Sequence, residues 1–127
     1  MFKFVKNDNG DNFPIIEQKA AAAATYAVGE ALKYSSGKMT KATGTDAVEY
    51  ICAEAGVKAA GEMLSVNPVY HGQVWEVPFS VDGSALNAGA KVTVASDSAQ
   101  ITATTTNGTV ELMEAGKTAN GKVLVRF

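Results

Sequence analysis

The sequence predicts an all-β fold, a compact sandwich or small barrel of short antiparallel strands forming a single domain over residues 1–127. Three observations point there. Runs rich in Val, Ile, Thr and Phe recur at intervals of about ten residues. Turn formers separate them, including Asn9-Gly10, Asn107-Gly108 and Asn120-Gly121. The carboxyl-terminal third contains no amphipathic pattern long enough for a helix of three turns.

Taken in order, FKFV (Phe2 to Val5) and FPIIE (Phe13 to Glu17) flank NDNGDN, whose Asn9-Gly10 pair suits a tight turn. This predicts an amino-terminal hairpin over residues 1–18. Lys19 then leads into five alanines, Ala20 to Ala24, and intrinsic propensity alone would continue them into a helix. An internal match argues otherwise. Shifted by 60 residues, Val28–Leu64 falls on Ala88–Leu124 without a gap, and Glu54, Ala55, Gly56, Ala59, Gly61 and Leu64 recur as Glu114, Ala115, Gly116, Ala119, Gly121 and Leu124. Gly29/Gly89, Ser36/Ser96 and Thr45/Thr105 are also identical.

The segment that aligns with the alanine run contains Asp82-Gly83-Ser84, a poor helix interior. Residues 20–27 are therefore expected to be extended or looped, with at most one short helical turn within Ala20 to Ala24. EALKY becomes a strand, SSGK a turn and KMTKAT the partner strand. In the shared EAGxxAxGxxL pattern the glycines suit a turn, and Glu54 and Glu114 are expected at strand ends as solvated charges. VWEVPFSV alternates, with Trp75, Val77, Phe79 and Val81 on one face. Pro78 lacks a donor, so that strand is expected at an edge or bulged. KVTVAS, QITATTT, TVELMEA and KVLVRF read as four further strands.

Composition excludes several functions. The 127 residues are 46% hydrophobic, and 11 basic against 13 acidic side chains leave a net charge of -2. A broad basic surface for nucleic acid is not expected. No apolar run reaches the roughly 18 residues of a membrane span, and MFKFVKNDNGDN lacks the apolar core of a signal peptide. A soluble protein made in a cytoplasm is the expectation.

Catalytic patterns are scarce, and the chain reads as neither an enzyme nor a metal or cofactor protein. SSGKMT lacks the glycine and the Ser or Thr that a phosphate loop needs, since Leu32 and Met39 stand there. His71 is the only histidine and reads as a loop residue; Cys52 is the only cysteine and reads as a small buried hydrophobe. Asp8 and Asp11 fail the calcium-loop spacing, which would place Val5 and Ile16 at ligand positions. Asn107-Gly108-Thr109 matches a glycosylation sequon without a leader to deliver it. Glu111 and Glu114 do not pair at strand spacing, and Trp75 and Phe79 suit a core better than a sugar platform.

The segment TYAVGEALKYSSGKMTKATGTDAVEYICAEA, together with VWEVPFSVDGSALNAGAKVTV and the terminal GKVLVRF, resembles the small head-decoration proteins of tailed bacteriophages and prophages. That resemblance implies a β domain on the outside of an assembled capsid, bound to the major capsid protein, often as a homotrimer, and reinforcing the shell. Virion localisation follows from the same resemblance, and no catalytic residues are implied. Phe2 and Phe4 are candidate subunit or shell contacts, or else FKFV is simply a strand of the domain's own sheet. The competing reading is a carbohydrate- or cell-surface-binding β-module, such as a virion fibre domain. Exposed aromatics near Tyr70 and Trp75 would favour it, whereas a polar-rimmed apolar patch would favour decoration.

Overall fold

Two five-stranded antiparallel sheets face one another in the computed structural model, which describes residues 1–11 and 13–127. With strands numbered in chain order, one sheet runs β1 (Lys3–Asn7), β9 (Gln73–Pro78), β12 (Lys122–Arg126), β11 (Val110–Leu112) and β10 (Lys91–Val92). The other runs β2 (Glu17–Ala20), β8 (Met63–Pro68), β6 (Tyr50–Cys52), β4 (Ala31–Ser35) and β5 (Lys38–Lys41). A ribbon of β3 (Ala24–Tyr26) and β7 (Gly56–Lys58) stands apart. The architecture is all-β and sandwich-like; neither sheet closes into a barrel. Among the described residues there is no helix, and hence none long and apolar enough to cross a membrane.

Alternation explains the packing of the first sheet. Trp75 lies opposite Val125, Val77 opposite Val123, Leu112 opposite Val125 and Val92 opposite Val110, and all are buried. The intervening residues face solvent as charge pairs, with Arg126 Nε donating to Glu111 Oε2 at 2.9 Å and Lys122 lying 3.6 Å from Glu76. Ala31 and Ile51 of the second sheet complete this core. Their neighbours Leu32 and Cys52 point the other way, into a second core with Tyr26, Met39, Leu64 and Val66. The second sheet is thus buried on both faces.

The two sheets share a neighbour order. β4, β6 and β8 pair in sequence with β2 beside β8, while β10, β11 and β12 pair in sequence with β9 beside β12. β6 and β11 occupy positions 50–52 and 110–112, the 60-residue offset of the sequence. In the first copy Ser35 pairs with Lys38 around Ser36 and Gly37, both at positive φ (49° and 73°), which is the backbone of a type I′ hairpin. The alanine run is extended, as β2 and β3 joined by an Ala21–Met39 bridge, without a helical turn.

Several sequence expectations are corrected. The hairpin over residues 1–18 does not form: β1 pairs with β9 and β2 with β8, in different sheets. Its turn is present, since Gly10 (φ 84°) donates to Asn7 O and Asn7 N to Asp11 O at 2.8 Å. Beyond that rung the chain departs, because Phe2 is buried against the first sheet while Pro14 offers no donor to continue a ladder. FPIIE is not itself a strand; pairing begins at Glu17. QITATTT contributes only Ile101 bridges to Phe79 and Val94. Val81 is exposed, beyond the end of β9. β9 is interior rather than an edge, and Pro78 is tolerated as its last residue, past Glu76, where the β1 register ends.

Candidate functional site

Polar-out alternation leaves little apolar surface on the first sheet, so the exposed apolar side chains that remain are informative. They gather where the β1 edge and the approach to β2 meet. Phe13 is 79% exposed, Ile16 64%, Val28 56%, Ile15 54% and Met1 47%. Beside them a cleft of about 480 Å³ opens between the sheets, walled by Met1, Phe4, Pro14, Val28 and Asn67, with Trp75 among its lining.

Local chemistry holds this rim in place. Phe13 N donates to Asp11 Oδ1 at 3.1 Å and Asn7 Nδ2 donates to Phe13 O at 3.4 Å, so the backbone that carries the ring is tied on both sides. Asp11 N in turn donates to Asn9 Oδ1. Asn67, nearly buried on β8, donates its Nδ2 to Ile15 O at 2.9 Å. Phe2 N donates to Gly29 O at 2.8 Å, which fixes Val28 at the cleft mouth. Lys3 also lines the cleft and, with Lys6, makes no ion pair among the described residues. Partial burial holds the Met1 amine below its usual value.

The candidate contacts fare differently from one another. Phe2 is 3% exposed, with its ring 5.6 Å from Phe127, and belongs to the core. A buried ring offers no surface to another molecule, so Phe2 is not a contact in the folded chain. Phe4 packs edge-on against Trp75 at 5.3 Å and shows its remaining surface to the cleft. FKFV is therefore a strand of the domain's own sheet. Trp75 is 1% exposed, so it cannot join Tyr70 in an aromatic platform.

The remaining chemistry-bearing residues hold structure. His71 Nδ1 lies 3.0 Å from Phe127 O. Cys52 is buried, its Sγ donating to Glu54 O, and burial pushes the thiol up. Glu54 and Glu114 are not the solvated charges expected. Glu54 Oε2 accepts from Ser65 N at 2.9 Å, with Lys58 on Oε1, and Glu114 Oε1 accepts from Leu124 N at 3.1 Å. Each carboxylate caps the start of the following strand. Among the described residues, no three His, Cys, Asp or Glu side chains converge to hold a metal ion.

No protein-family model matches the chain, and no curated protein matches it. Sequence reasoning missed the rim because it assigned Phe13, Ile15 and Ile16 to a strand. One available signal was the adjacency of Ile15 and Ile16, which a single buried face cannot accommodate.

Proposed function

We infer that the chain is a virion structural protein that binds the outer surface of an assembled phage capsid and stabilises the shell. The observation that carries this reading is the exposed apolar rim at Phe13, Ile15, Ile16 and Val28, set beside a cleft and bordered by Lys3, Asp11 and Glu17. A second exposed pair, Val57 (77%) and Met63 (58%), flanks the bend between β7 and β8. Solvated folds keep such surface small unless it is covered by a partner.

The partner in this reading is the major capsid protein, and a homotrimer is the working assembly. A shell presents many identical sites, so contacts of modest strength sum across it when the bound unit is itself multivalent. The likeness of GEALKYSSGKMTKATGT to decoration proteins supports the same reading. The test mixes the purified protein with undecorated capsids and follows co-sedimentation and resistance of the shells to heat. Binding that saturates and raises the temperature of shell disruption is expected; absence of binding to any cognate shell removes the reading.

A further inference from the structure

We propose that the Phe13 ring of one copy seats in the inter-sheet cleft of a second copy, so that the rim is a self-association surface. The contact is made between free copies and stands apart from the shell reading.

The knob is preformed. Phe13 is held by hydrogen bonds to Asp11 and Asn7, and Pro14 after it restricts its backbone to extended conformations. Little ordering entropy then remains to be lost on docking. Pro14 lines the cleft of its own chain, whereas Phe13 stands outside that wall and is covered by nothing in its own chain. Knob and hole are thus neighbours on one surface, the arrangement in which rotationally related copies fill one another.

Size and charge both fit a second copy. A cavity of about 150 Å³ accepts a benzene ring, so the 480 Å³ cleft takes the Phe13 ring with room for an adjoining isoleucine. The five exposed apolar side chains of the rim offer on the order of 500 Å² per copy. A pair therefore hides on the order of 1,000 Å², the lower bound for a specific interface. The rim also carries both signs. Lys3 lines the hole and Asp11 stands two residues before the knob, so insertion brings the acid of one copy to the base of the other.

Sedimentation equilibrium of the purified protein without capsids tests the contact. Wild type is expected to associate reversibly, Phe13→Asp from the knob and Val28→Glu from the hole to weaken association about 30-fold or more, and Val57→Asp to behave as wild type. Mixing Phe13→Asp with Val28→Glu restores one intact knob and hole per pair and is expected to recover association. Circular dichroism melts identify any variant that has lost its fold. A wild type that stays monomeric at its highest soluble concentration, a folded Phe13→Asp that associates as wild type does, or failure of the mixture to recover overturns the proposal. Capsid co-sedimentation of the same variants reads the shell contact separately.

Discussion

The Glu54 carboxylate accepts the backbone N–H of Ser65 at 2.9 Å, joining the end of β6 to β8 across a hairpin that contains β7. Lys58 on the other oxygen and the Ser65 amide together hold this carboxyl at about 2, against an ordinary value near 4.5. Folding therefore favours the ionised form. Its stabilisation is complete above the unfolded value and is lost as pH falls toward 2. Glu54→Gln is expected to lower the melting temperature at pH 7, with the difference from wild type shrinking below about pH 4.5. Thermal melts across that range check the convergence; a difference independent of pH would contradict it.

Phe2 and Phe13 should separate cleanly under substitution. Phe2→Ala empties a core site and is expected to cost about 3–5 kcal/mol. Phe13→Ala removes an exposed ring and should change monomer stability by less than about 0.5 kcal/mol. Urea denaturation at a concentration where the chain is monomeric compares the two.

Gly29 has φ 92°, and a Cβ there would meet Phe2 O at 2.7 Å and Met1 Cβ at 2.8 Å. Gly29→Ala combines a left-handed backbone penalty of about 1–2 kcal/mol with a clash against the amino-terminal strand. Hydrogen exchange is expected to accelerate first at the amides of Phe2 and β1, ahead of β11 and β12.

Ser98 is fully buried with φ 60°, and its hydroxyl has no partner. Its carbonyl nevertheless accepts from Ala31 N at 2.7 Å, so the backbone conformation is needed. Ser98→Gly keeps that bond and relieves both the left-handed strain and the orphaned hydroxyl. A gain of about 1 kcal/mol is expected in denaturant titrations, after subtracting the entropic cost of glycine.

The Cys52 thiol is buried and held above its usual value by desolvation. A thiol reagent should label it no faster than the chain opens, and labelling should accelerate sharply in urea. Rapid labelling of the folded protein would contradict the burial.

Much of the fold was legible in short-range pattern. Trp75, Val77 and Phe79 alternate into the core as read, and Ser36-Gly37 makes the turn between EALKY and its partner. The 60-residue offset kept the alanine run out of a helix, and β4, β6 and β8 have counterparts in β10, β11 and β12 with the same neighbour order. The candidate site was less legible. Phe2 and Phe4 were singled out for being aromatic near a terminus, yet Phe2 is core and the exposed ring is Phe13. No residue type distinguishes them, because exposure depends on what lies across the gap between sheets.

The sequence alone determined the all-β class, the turn positions and the alternation that faces valines inward on β11 and β12. These follow from steric preferences and a two-residue period acting over a few neighbouring residues. Tertiary structure alone decided that β1 and β2 part into different sheets and that Glu54 and Glu114 serve as hydrogen-bond acceptors. It also left Phe13, Ile15 and Ile16 uncovered beside a cleft. Those outcomes rest on contacts between residues far apart in the chain, whose burial competes across the whole domain and leaves no local mark.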